Sequence, residues 1–317
     1  MKTVDIYGRI YLGFLCDIGE KLSESGGFES MKIAVMADIH SNHVALERCI
    51  DEAKRLGAEE FLFLGDYIGE MAYPERTLEC LAKLKKEYPC TLIRGNKENY
   101  WIDHKNGKHN DWIWKAGTSG SGMLQYSYAH LTDTQIQEFE KMPISKTMQY
   151  DNMPPFVICH GSPFKVNESL REDYDYIDAL TERLETELTN CGHFHIQTKY
   201  VRGGKRIINP GSVGTPLKSN GKAQFMMLFA CGGMWETEFH TLTYDVEKTI
   251  QEMDEENLSV QAPGWYRVAK AVLLGKDVSQ VQILSKACEL CEKEEGKVDW
   301  RCVPEKYWNL ALEAFGI

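Results

Sequence analysis

The sequence predicts an α/β protein, and two observations carry that expectation. Three short apolar runs, 33–37, 60–64 and 90–94, alternate with two stretches of helical periodicity. Each run breaks off into a polar turn: Asp38-Ile39-His40, Gly65-Asp66 and Gly95-Asn96. Apolar runs of this length, with helices between them, mark parallel strands buried on both faces and joined by right-handed crossovers. The polar turns then fall at the carboxyl ends of the strands, where open α/β sheets gather ligands.

Taken in order, the first strand ends in Asp38 and His40, two residues apart and so on one face of an extended chain. Val44, Leu46, Cys49, Ile50 and Ala53 recur at helical spacing across 42–56, and Gly57 stops that helix. A second helix spans 74–86, with Pro74 in the first turn, where helices tolerate it. Residues 100–128 hold Trp101, Trp112, Trp114, Tyr126 and Tyr128 with little periodicity, and a loop leading to a helix near 122–130 is expected. Thr132 or Asp133 caps a further helix through Lys141, which Pro143 ends. Residues 144–150 and 156–160 read as strands, and 176–188 as helix. Strands are also expected at 206–208, 223–230 and 235–243, the last two joined by a turn at Gly232-Gly233. From Tyr244 the chain is mostly helical and rich in Glu and Lys, which predicts a solvated face on a cap or tail. The expected organisation is an N-terminal extension over 1–30, a main domain over 31–243 and a helical annex over 244–317.

With 317 residues, 43% hydrophobic and 26% charged, the chain can bury a sizeable core. A net charge of −11 argues against a nucleic-acid partner, and no apolar run is long enough for a membrane span. Lys2 and Arg9 precede an apolar run over 10–16 in the manner of a secretory leader, but Gly13 interrupts it and Asp17 and Glu20 follow. Met31 stands as a natural start before the first strand. Ten scattered cysteines without a leader point to a reducing, cytoplasmic setting. Cys159 and Cys191, inside apolar runs, read as packing residues. Cys288 and Cys291 form one CxxC with no second pair at zinc-ribbon distance, so it reads as a helix-surface coincidence. Oligomerisation through the annex is left open.

Two later turns, His160-Gly161 and Gly192-His193-Phe194-His195, resemble the first three in type. Together the five supply two Asp, one Asn and four His. Oxygen and imidazole donors without thiolate suit Mn, Fe, Co, Ni or Zn. Seven donors exceed one ion's needs but suit two ions about 4 Å apart that share a carboxylate. Asp66, central in chain order, is the natural bridge. Two divalent cations would also reconcile an acidic chain with a phosphorylated substrate.

This ordered set, D-x-H, G-D, G-N, H and G-H-x-H, resembles the calcineurin-like metallophosphoesterases over roughly residues 31–245. The resemblance implies two mixed β-sheets packed face to face with flanking helices. It implies one metal on Asp38, His40, Asp66 and His195, and a second on Asp66, Asn96, His160 and His193, with Mn or Fe favoured. It also implies hydrolysis by in-line attack of a metal-bridging hydroxide, with Asp66, Asn96, Lys97 and His160 closest to the chemistry. The Asn209-Pro210-Gly211-Ser212-Val213-Gly214 turn and the aromatic insert, with its GMLQYSYAHLT stretch, are similar to compact bacterial phosphodiesterases and asymmetric diadenosine tetraphosphatases. The implied substrate is a nucleotide, such as a dinucleoside polyphosphate.

The chain departs from the pattern at Lys97, followed by Glu98, where many members carry a proton-donating His, and at Ser41, where a Gly is common. Loss of a general acid matters most for leaving groups of high pKa. A nucleotide phosphate already leaves well, and a lysine can neutralise its developing charge. Lys97 therefore favours anhydrides or activated diesters, with His43, His104 and His109 as other sources of a proton. The alternatives are a broad phosphodiesterase, a protein Ser/Thr phosphatase, which Lys97 disfavours, and a metal-binding scaffold. The scaffold is disfavoured because every ligand position is intact.

Overall fold

The computed structural model describes residues 31–108 and 111–317; the extension over 1–30 and His109 lie outside the described residues. The described chain opens with β1 (Lys32–Met36), α1 (His43–Arg55), β2 (Glu60–Phe63), α2 (Pro74–Glu87) and β3 (Cys90–Leu92). Three helices follow: α3 (Asn96–Lys105), α4 (Gly122–Ala129) and α5 (Asp133–Lys141). Next come β4 (Ser145–Met148), β5 (Phe156–Cys159), α6 (Ile177–Glu182), β6 (Leu188–Asn190), β7 (Gln197–Arg202) and β8 (Lys205–Pro210). The hairpin of β9 (Ala223–Cys231) and β10 (Met234–Leu242) leads to the annex helices α7 (Val246–Glu255), α8 (Leu258–Gln261), α9 (Pro263–Leu273), α10 (Gln280–Glu295) and α11 (Glu305–Ala314).

The strands form two mixed five-stranded sheets, ordered β10-β9-β1-β2-β3 and β4-β5-β6-β8-β7. As the apolar runs predict, β1, β2 and β3 pair in parallel, with Ala34 opposite Phe61 and Leu62 opposite Thr91. The other edge of β1 takes β9 antiparallel. In the second sheet β5, β6 and β8 run parallel, with β4 and β7 antiparallel at the edges. Trp235 links the two sheets: its ring meets Phe156 edge-on and its Nε1 donates to Pro154 O at 2.8 Å. Burial of Ile33, Ala34, Val35 and Met36 and of Phe61, Leu62 and Phe63 fixes the first sheet between helices and its partner. Asn42 caps α1 by accepting from Ala45 N, and Thr132 with Gln135 builds the capping box of α5.

Several local expectations are corrected. Of the stretch read as loop from residue 100, the first part, to Lys105, lies inside α3, whose start is set by Glu98 accepting the Gly95 N–H at 2.7 Å. The helix expected over 176–188 is only α6, because Leu188–Asn190 fills the parallel slot between β5 and β8. Strand β7, polar and half-exposed, carries no strong apolar signal and was not expected. The annex is a packed cap rather than a tail: Val268, Val272, Ile283, Ala287, Tyr307, Trp308 and Ala311 form a buried cluster of their own. The Cys288-Cys291 pair belongs to that packing, with Cys291 buried.

Candidate metal centre

The five polar turns meet at the carboxyl ends of the strands. The 38–41 turn is held from two sides. Asp38 N, His40 N and Ser41 N donate to Gly65 O, Asp66 O and Tyr67 O, while Val213 N and Gly214 N donate to Ala37 O and Asp38 O. Asp38 (φ 56°), His40 (φ 52°), Asp66 (φ 54°), His193 (φ 77°) and His195 (φ 58°) all occupy the left-handed region, which non-glycine residues enter only where their surroundings force them. Strain concentrated on these side chains marks a functional cluster. Gly95 is required by close approach: a Cβ there would lie 2.2 Å from Asp66 Oδ1.

Two groups of donor atoms lie within 4.8 Å of one another, Asp38-His40-His195 and Asp38-Asp66-His160, overlapping at Asp38. Asp66 reaches both sides, with Oδ2 3.8 Å from His40 Nε2 and Oδ1 3.5 Å from His160 Nε2. Asn96 Oδ1 lies 3.0 Å from His160 Nε2, and the His193 ring stands edge-on to His160 at 5.1 Å. Asp38 accepts from His193 N and lies 3.4 Å from His195 Nε2.

The outer ring nitrogens explain why these donors suit a cation. His160 Nδ1 sits 2.7 Å from Leu64 O, and His195 Nδ1 sits 2.9 Å from Thr215 O. A carbonyl only accepts, so each Nδ1 carries a proton, and in the neutral ring the Nε2 lone pair is the one left to meet a cation. His195 Nε2 then faces His40 Nε2 at 3.1 Å, and His160 Nε2 faces the carbonyl oxygen of Asn96. Burial holds His40 well below the usual imidazole range and His193 down to about 3, which keeps both neutral and able to ligate. Against the desolvation of burial, Asp66 and Asp38 raise His160, and Asp38 raises His195. The donor set fits divalent metal ions.

Two carboxylates not assigned from the sequence complete the surroundings. Buried Glu98 accepts from Asp66 N (2.9 Å), Tyr67 N (2.9 Å) and Gly95 N (2.7 Å), clamping two turns together. Burial raises its carboxyl, while those N–H groups pull the other way. Glu70 Oε1 lies 2.5 Å from Lys97 Nζ and 3.7 Å from His40 Nδ1. Lys97 stays charged: burial works against it, and Glu70 and Asp66 outweigh burial to raise it. The only sequence signal for Glu70 was its place four residues after Asp66. Of the other proton donors, His43 is bound to Glu252 at 2.8 Å, and His104 stacks on Trp114 at 4.0 Å, so both serve packing.

The cluster opens into a cavity of about 630 Å³ bounded by His40, Asp66, Asn96, Lys97, His193 and His195 on one side. Trp112 of the insert and Trp265, Trp300 and Trp308 of the annex line the same cavity. Trp101 and Trp114 are buried in the core instead.

Fold and cluster together define a metal-dependent phosphohydrolase. The Calcineurin-like phosphoesterase superfamily domain matches residues 31–232, and the chain belongs to that family. It is 24% identical over 263 residues to the uncharacterized protein MJ0912 of Methanocaldococcus jannaschii, covering 77% of this chain and 98% of that one. A metallophosphoesterase from Sphaerobacter thermophilus shares its fold with a TM-score of 0.60 at 21% identity, over 78% of this chain and all (100%) of the other. The hypothetical protein PH1004 of Pyrococcus horikoshii OT3 does so with a TM-score of 0.63 at 20% identity, again over 78% and 100%. Among the described residues no helix is long and apolar enough to cross a membrane.

Proposed function

We propose that the protein is a two-metal hydrolase of nucleotide phosphoesters and phosphoanhydrides, with dinucleoside polyphosphates among its substrates. One observation carries the two-metal reading: the donor atoms form two overlapping groups that share Asp38, and Asp66 reaches to both sides, toward His40 and toward His160. Asp38, His40, Asp66 and His195 would hold one ion, and Asp66, Asn96, His160 and His193 the other; oxygen and imidazole donors suit Mn, Fe, Co, Ni or Zn, and the family resemblance favours Mn or Fe. When bound, such ions supply an activated water and neutralise charge on phosphate oxygens.

The remaining work falls to the chain. Leu64 O and Thr215 O fix the orientation of two imidazoles, and Glu98 fixes the turns that carry Asp66 and Asn96. Lys97, held by Glu70 at the cavity wall, offers a permanent positive charge to a leaving phosphate. A lysine this firmly charged is a poor proton donor, which suits anhydrides better than alkyl esters. The aromatic wall of the cavity supports a substrate with a base.

The test is a panel of phosphomonoesters, diesters and dinucleoside polyphosphates against several divalent ions, with Asp66→Ala as the control. Mn²⁺-dependent cleavage of the polyphosphates is expected. Cleavage of bis-p-nitrophenyl phosphate with none of the polyphosphates would leave a broad phosphodiesterase and overturn the nucleotide reading.

A further inference from the structure

We propose that the helical annex, which lies beyond the 31–232 family match, supplies a base-recognising wall to the active-site cavity, with Trp265, Trp300 and Gln280 as specificity residues. This rests on the nucleotide reading above and assigns residues to it.

The wall begins one side chain from the metal cluster. Lys97 Nζ lies 5.3 Å from the centroid of the Trp265 ring, so the group that meets phosphate also touches the first aromatic face. Trp300 lines the cavity while 47% exposed, and it stands edge-on to Trp112 at 5.1 Å. A large indole left this open beside an apolar cavity is a ready platform for a flat ring, and aromatic side chains stack bases of any identity.

The polar atoms of the wall narrow the ligand further. Trp265 Nε1 and Gln280 Nε2 are buried with no hydrogen-bond partner, and Gln280 is only 8% exposed. Both are donors. Buried donors without acceptors are disfavoured, so a ligand that completes them carries acceptors along a planar edge. Nucleobases have that pattern in their ring nitrogens and carbonyls. Arg171, paired with Asp173, and Lys218 also line the cavity.

The wall is prebuilt rather than hinged. Trp112 Nε1 donates to Arg301 O at 3.0 Å, and Ser119 donates to Glu305 through both its N–H and its hydroxyl at 2.6 Å. These bonds lock the insert to the annex, so little ordering is needed on binding.

The full-length Mn²⁺-loaded enzyme is assayed with two diesters that share one leaving group: the p-nitrophenyl ester of adenosine 5′-phosphate and methyl p-nitrophenyl phosphate. Wild type is expected to favour the nucleoside ester in kcat/KM. Trp300→Ala and Gln280→Ala should each raise KM for that ester about tenfold, leaving kcat and the methyl ester unchanged. Calorimetric titration with adenosine, which has no scissile bond, should show the same weakening without relying on turnover. Melting curves of the two variants separate loss of fold from loss of recognition, and unchanged curves are expected. If wild type prefers the nucleoside ester but neither variant changes the ratio, the wall is packing alone: this proposal falls and the nucleotide reading stands. If wild type shows no preference, both fall together.

Discussion

Glu70 and Lys97 form an ion pair with both side chains largely out of water, and the same carboxylate faces the outer nitrogen of His40. Removing one partner leaves the other charge buried and unpaired. Lys97→Met is therefore expected to lower stability by about 3 kcal/mol, whereas Glu70→Gln combined with Lys97→Met should regain most of that, as urea denaturation of wild type, the two single variants and the double variant in a double-mutant cycle will report. Glu98 acts differently, since it accepts N–H groups rather than meeting a cation. Glu98→Ala strands those donors, with an expected loss on the order of 3 kcal/mol or more, and reduced metal content by elemental analysis.

At the scale of elements, the ligands depend on how turns interlock at the strand ends. The 209–214 turn packs so closely on the 38–41 turn that a Cβ at Gly214 would lie 1.8 Å from Ile39 O. Gly214→Ala must displace the backbone of Asp38 and His40, so metal binding should fall well before the protein unfolds; isothermal titration with Mn²⁺ beside a thermal melt checks that order. The annex stands on the packing of α10 and α11, where Tyr307 and Trp308 are fully buried. Trp308→Ala opens a cavity there, with an expected loss of about 3–5 kcal/mol in denaturant unfolding.

Across the described residues, acidic and imidazole groups from both sheets converge, with Lys97 the cation that pairs beside them. Bound divalent ions stabilise this arrangement by linkage, since the unfolded chain has no such cluster. Prolonged chelation should abolish hydrolysis and lower the melting temperature, and excess Mn²⁺ should restore both; at a thousandfold excess over Kd the stabilisation is about 4 kcal/mol. Differential scanning calorimetry over a Mn²⁺ series measures it. A melting temperature indifferent to chelator would contradict that coupling.

Much of this protein was legible before its fold was known, because the signals were local. The apolar runs before Asp38, Asp66 and Asn96 predicted parallel strands, and the side chains that end them predicted donors at one edge. Asn42, Thr132 and Asp245 cap helices by bonds that span only three residues. Other features depend on residues far apart in the chain. Glu70 reads as an ordinary acidic residue until the fold sets it between Lys97 and His40. Leu188–Asn190 becomes a strand because it fills the parallel slot between β5 and β8, although the helical periodicity was read as far as Leu188. Trp112 and Trp300 lie 188 positions apart in the sequence, and only tertiary packing brings their rings to 5.1 Å. Periodicity and turn chemistry determined which elements form and which donors end them. The packing of the annex against the insert decided what those donors face, because burial and opposing charge are properties of neighbours in space.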